Sequence, residues 1–368
     1  MPINMRDDFS TAESMTTPVI NDEASWKKAR AYADRIGSMP AVFGAAVRLL
    51  IADQQQKDRS LRPVTKFLVS QALRGRKILS MLYYATSLLS PDQISARERV
   101  SLGDLISLYQ PYDLATLYAL YLIHRRTIKA FDIDRAGSHF LTPGLRRESQ
   151  LGGIVGASIP SIGVGNGLLA GSLHHLAIAM IAASEPSLVG DYYQHLEQSG
   201  CRWDFYREAE LFGCTSLQIG AALLAKVGFG KANVEAYVGA LDPELRLSDS
   251  TGNQLSIRYG RFWVEGLLAG REQPLTVMPG EYYPLLENRQ WMEEQAALVK
   301  DDSVSWIERD KTDVSEALTP LLFREDHLNK EVPEQLRDIF SLKEITQMEE
   351  EEFDDLIDHI DRSLEDKH

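Results

Sequence analysis

From Asp22 onward the apolar positions recur every three to four residues along almost the whole chain. Val42, Ala45, Ala46 and Leu49 fall on one helical face; Phe67, Leu68 and Ala72 fall on a second, and Ile78, Leu79, Leu82 and Tyr83 on a third. Strict alternation of apolar and polar residues, the mark of a half-buried strand, is nearly absent, so the pattern predicts an all-α protein. Helix starts can be read from capping chemistry. Ser101-Leu102-Gly103-Asp104 is a variant of the capping box, and Pro111 suits the first turn of a helix through Tyr112, Leu114, Leu117, Leu120 and Ile123. Thr142-Pro143 predicts the start of a helix carrying Leu145 to Gly156. The longest apolar run, about Leu168 to Ser184, is broken by His174 and His175. It reads as too short and too polar at its centre to span a bilayer, and hence as a fully buried helix.

The pattern divides into blocks. Residues 1–22 are a polar lead-in, and helical sets follow over about 23–135 and 140–275. Pro274, Pro279-Gly280 and Pro284 then open a charged extension, 276–368, with Trp291 and Trp306 as aromatic anchors. No repeat of fixed period is found.

Charge sharpens this division. The 368 residues hold 53 acidic and 39 basic side chains, a net charge of −14. That sign speaks against a nucleic-acid partner, which needs a cationic footprint, and against a polybasic membrane anchor. Yet −8 of the total lies in residues 349–368, so the acidity is no guide to what the main body binds. Met348, Phe353, Leu356, Ile357, Ile360 and Leu364 recur there at helical spacing, which predicts an acidic amphipathic helix. Cys201 and Cys214 are the only cysteines, which excludes a disulfide scaffold and a four-cysteine zinc site. The N-terminal residues lack the apolar stretch of a signal peptide, and a cytoplasmic location is expected.

Several groups carry candidate chemistry. Adjacent side chains on a helix diverge by about 100°, but His174 and His175 can still reach one cavity between packed helices. A neutral imidazole with a carboxylate is the donor set that holds a divalent metal to polarise phosphate and activate water. Buried histidine pairs are more often hydrogen-bonded core residues. Gly163-Val164-Gly165-Asn166-Gly167 has the composition of a phosphate cradle, but its helical flanks predict an interhelical turn. Basic residues cluster at Arg74, Arg76 and Lys77, at His124, Arg125, Arg126 and Lys129, and at Arg146 and Arg147. Converging in space, they would hold an anionic ligand or the acidic tail. Cys201 and Cys214 with His195 show no ordered nucleophile-and-base pattern.

The order of these elements resembles the HD-related output domain (HDOD) family, a degenerate branch of the HD superfamily. The resemblance rests on Gly171-Ser172-Leu173-His174-His175, on Glu210, Gly213, Gly220, Ala221 and Leu224, on Ile36 to Val42, and on Gln254 to Gly270, over about residues 25–275. It implies a bundle of two helical subdomains followed by the helical extension. In an HD site the second ligand is Asp where this chain has His175, a further His is replaced at Thr215-Ser216, and the earliest ligand falls at Glu148-Ser149. Glu148, His174 and His175 are then vestigial positions, with no metal, no cofactor and no catalytic residue expected. The resemblance implies a non-catalytic bacterial signal-transduction protein acting by protein–protein interaction or ligand sensing. Its partner would be a signalling protein or a small anionic ligand, with no membrane or nucleic-acid partner and with a homodimer left open. The alternative is a divergent HD-type metal-dependent phosphohydrolase acting on a nucleotide or cyclic dinucleotide.

Overall fold

A computed structural model describes residues 22–39, 41–72, 76–95, 100–130, 138–243, 245–299, 305–308 and 322–323. The N-terminal lead-in up to residue 21 and the acidic stretch 349–368 lie outside the described residues, as does Arg74. The protein is all-α, as the periodicity predicts. Its helices are α1 (Glu23–Ala33), α2 (Ala41–Gln55), α3 (Pro63–Ala72), α4 (Arg76–Leu89), α5 (Pro91–Ser95), α6 (Leu102–Ser107) and α7 (Pro111–Ala130). There follow α8 (Ser138–Ser158), α9 (Val164–Ala182), α10 (Pro186–Ser199), α11 (Phe205–Phe212), α12 (Ser216–Lys226), α13 (Gly230–Leu241), α14 (Asn253–Leu268) and α15 (Leu286–Leu298). The extended pairing described is one short parallel bridge, Val100 with Leu322 and Ser101 with Phe323.

Helix α9 is the axle. It is apolar around its whole circumference, so it has no solvent face to present, and α1, α7, α8, α10, α12 and α14 pack around it. By length and composition it could cross a membrane, contrary to the expectation from the shorter run, but 89% of its apolar window is buried inside the protein. It is a core helix.

The closest pairing is α8 with α9. They run antiparallel, since Gly152 meets Gly167, Gly156 meets Gly163, and Glu148 meets Gly171. A Cβ placed on Gly152, Gly156, Gly167 or Gly171 would drive into a carbonyl oxygen of the facing backbone. Glycine at these positions lets two backbones touch, and that contact carries Glu148 up against the histidine turn of α9. Helix α8 also corrects the expected start at Thr142-Pro143: it begins at Ser138, with Pro143 inside it. A proline so near a helix N-terminus forfeits a single intrahelical bond, so the motif marks the second turn and not the first.

Beyond residue 275 the described chain stays on the body. Met278, Tyr282, Met292 and Val299 share a cluster with Leu151, Ile154 and Val155 of α8 and Tyr259 and Trp263 of α14. Trp263 Nε1 donates to Tyr282 O at 2.8 Å. Trp291 packs partly buried on this cluster, whereas Trp306 and Ile307 are buried in the main core against α4 and α7.

Candidate functional site

Glu148, Arg261 and His175 meet where α8, α9 and α14 cross. Arg261 sits on the apolar stripe Ile257, Arg261, Val264 of α14, so its side chain is driven inward and is only 3% exposed. A buried guanidinium must be paired. Its Nη1 donates to Glu148 Oε2 at 2.7 Å and to Ala170 O at 3.1 Å, and its Nε donates to Glu265 Oε1 at 2.8 Å. The other oxygen of Glu148 lies 3.3 Å from His175 Nε2 and 3.5 Å from Arg202 Nη2. Burial alone would raise the Glu148 carboxyl, but Arg261, then His175 and Arg202, hold it well below the usual carboxylate range. It is an anion held between two guanidinium groups, with His175 beside it.

His174 points the other way. Its Nδ1 is 2.8 Å from Ser216 Oγ, and burial, followed by the nearby His175 and Arg261, holds it well below the usual imidazole range, so it is neutral. Trp203, on the loop between α10 and α11, lies with its ring 5.0 Å from His174 and 3.2 Å from the Arg261 guanidinium carbon. Phe205 stacks on Trp203 at 6.1 Å and 11°.

Behind Ser216 stands a second buried carboxylate, Glu208, on the stripe Phe205, Glu208, Phe212 of α11. It accepts from Tyr192 Oη at 2.6 Å and from Ser216 N at 2.6 Å, the first turn of α12, where partial positive charge gathers. Complete burial pushes Glu208 up, the bonds from Tyr192 and Ser216 pull it back, and the result is about 7. Tyr192 Oη in turn accepts from Asp204 N at 3.1 Å, and Asp204 caps α11 and meets His195 Nε2 at 3.0 Å. A hydrogen-bonded chain therefore runs Asp204–Tyr192–Glu208–Ser216–His174.

The structure thus brings together the positions singled out in sequence: Glu148 beside His175, and Ser216 beside His174. Sequence reasoning missed Arg261, Trp203 and Glu208. The signal was present for two of them, because a charged residue in the apolar stripe of a helix demands a buried partner. Glu210 is the exposed member of its pair, bonded to Arg207 at 2.7 Å.

This donor set does not fit a divalent metal. Glu148 already holds a guanidinium on Oε2, and the ring nitrogen of His174 nearest a polar partner is engaged by Ser216. Among the described residues, no group of three or more His, Cys, Asp or Glu is placed to hold a metal ion.

The remaining candidates resolve plainly. Gly163 turns the chain with φ of +76°, and the first turn of α9 is capped from α7, Gly165 N donating to Asp113 Oδ1 at 2.6 Å. The end that resembles a phosphate cradle is filled by the protein's own carboxylate, which burial, offset by the bonds from Gly165 and Gln110, raises to about 6. Of the basic clusters, one residue each from α7 and α8, Arg125 and Arg146, bears on buried His124, which burial first, and those cations next, push down to about 4. Cys214 is buried, its thiol pushed up to about 12 by burial and Glu208, while Cys201 is exposed. His195 is turned to Asp204, so the described contacts give neither thiol a base.

Comparison of the chain with protein-family models, curated proteins and solved structures finds no match.

Proposed function

We propose that the chain is a non-catalytic signalling protein that works by binding a partner or ligand, as its resemblance to the HDOD family implies. One observation carries this reading: a cation belonging to the protein, Arg261, neutralises the carboxylate that the resemblance assigns to the metal site. A divalent ion would have to displace a buried guanidinium that is also bonded to Glu265 and the Ala170 carbonyl. Neutral His174, fixed through Ser216 and covered by Trp203, is held as a packed side chain.

The test is metal analysis of the purified full chain together with a hydrolysis screen of nucleotides and cyclic dinucleotides in Mn²⁺ and Mg²⁺. The expected result is no stoichiometric metal and no turnover. One metal per chain that disappears in His174→Ala, or turnover abolished by that substitution, would establish the phosphohydrolase reading instead.

A further inference from the structure

Against the Glu148–Arg261 network lies an open pocket of about 320 Å³ between the loop bearing Trp203, the end of α13 and the face of α14. Its volume is at the lower end of ligand pockets, which run from about 300 to 1,000 Å³. Four aromatic side chains wall it: Trp203, Phe205, Tyr206 and Phe262. Tyr206 is 52% exposed, a large ring left on the surface at the pocket's rim.

Arg261 lines the same pocket, and its bonds are incomplete. Nε and Nη1 are committed to Glu265, Glu148 and Ala170 O, whereas Nη2 is buried without a hydrogen-bond partner. Leaving such a donor unmet costs about 1–3 kcal/mol, more for a charged group. Trp203 covers the face of the guanidinium and Nη2 is itself buried, so an acceptor reaches it only as Trp203 moves aside. The charge of the lining limits what can bring that acceptor. Asp204, Asp242 and Glu265 outweigh Arg258 and Arg261, and Arg258 is already bonded to Leu245 O and Ser250 Oγ. With Asp204 engaged by His195 and Glu265 by Arg261, the lining offers a polyanion no net positive charge.

We infer that this pocket binds an uncharged planar heteroaromatic molecule of nucleobase or nucleoside size, stacked among the aromatic walls and offering a carbonyl or ring-nitrogen acceptor to Arg261 Nη2. Aromatic rings prefer offset or edge-on partners of their own kind, which a heteroaromatic ring supplies. Behind the shared walls Trp203, Phe205 and Leu241, a chamber of about 10 Å³ reaches His174 and Ser216, so a ligand that shifts Trp203 also touches the histidine end of the hydrogen-bonded chain. This ligand class rests on the reading of the site as one that binds without turnover.

Isothermal titration of the full chain with adenosine and guanosine tests it, with AMP, GMP and ribose 5-phosphate as comparisons. A nucleoside is expected to bind, its 5′-monophosphate about tenfold or more weakly, and ribose 5-phosphate not at all. Tyr206→Ala, at the exposed rim, and Trp203→Leu should each weaken binding by about tenfold, with the helical circular dichroism of each variant retained. Absence of binding by both nucleosides at millimolar concentration, equal or tighter binding of the nucleotides, or indifference to both substitutions would overturn the inference. Chromatography of the titrated ligand separates the two readings. A nucleoside that binds and is converted would overturn the non-catalytic proposal and leave the ligand class standing. A chain without metal, turnover or nucleoside binding would overturn the ligand class alone.

Discussion

Replacing Arg261 by Met tests the ion network most directly. The apolar side chain fills the space on α14 but leaves Glu148, 7% exposed in its side chain, with only His175 at 3.3 Å and the half-exposed Arg202 at 3.5 Å. Stripping the partner from a buried ion pair costs about 3–5 kcal/mol, because the remaining charge is uncompensated. The carbonyl of Ala170 and the carboxylate of Glu265 lose donors as well. The decisive measurement is a double-mutant cycle with Glu148→Gln, read by urea unfolding followed with two probes. In the native background Glu148→Gln should destabilise, since it leaves Arg261 short of an anion. In the Arg261→Met background the same change removes a buried charge left with only His175 and Arg202 beside it and should stabilise, by about 1–3 kcal/mol. If Glu148→Gln costs the same in both backgrounds, the pair is not coupled and the account of the site fails.

Glu208 sets a pH dependence of opposite sign to the usual salt-bridged acid. Its folded pKa, raised by burial from 4.5 to about 7, means the folded chain binds the extra proton between those values, so the stability it contributes is full below about pH 4.5 and is lost as pH rises through 7. Relative to the native chain, Glu208→Gln should therefore become less destabilised from pH 5 to pH 7, by about 1.4 kcal/mol per unit, and a difference that does not change with pH refutes it. Gly167→Ala should destabilise by about 1–3 kcal/mol in chemical denaturation despite the better helix propensity of alanine, because the new methyl meets the Gly152 carbonyl; unchanged stability would refute the backbone contact. An aromatic disulfide reagent should modify Cys201 rapidly and Cys214 only after unfolding, and Cys201→Ser should remove the fast phase; two fast thiols in the native chain would contradict the burial of Cys214.

The class of fold was legible because helices write their period locally: Pro111 opens α7, and the run around His174 is a buried helix. Proline at Thr142-Pro143 misled by one turn, since the residue that cannot continue a helix from its middle is tolerated close to its start. The site was legible in half. His174 and His175 stood out by residue type, and Glu148 and Thr215-Ser216 only as places where the resemblance expects another ligand. Arg261 did not, because it is 113 residues from Glu148 and pairs only after α8 and α14 have both packed on α9. Trp203 sits on a loop without periodicity, so nothing in its neighbourhood tells which surface it covers. The acidic segment 349–368, which the sequence marks most strongly, lies outside the described residues.

The bridge between Val100 and Leu322, with Ser305 Oγ 3.0 Å from Ser149 Oγ and Trp306 beside α4, has a consequence in time. More than two hundred residues separate the two strands of that bridge. At a synthesis rate of about 5–20 residues per second, Val100 leaves the ribosome some 10–40 s before its partner exists. The face of α4 that Trp306 covers, and the edge at Val100, must wait for their cover, while α7, α8 and α9 can already close on one another. A nascent chain halted before residue 305 would then hold a formed central bundle with an unfinished flank, open to chaperones or to the wrong strand.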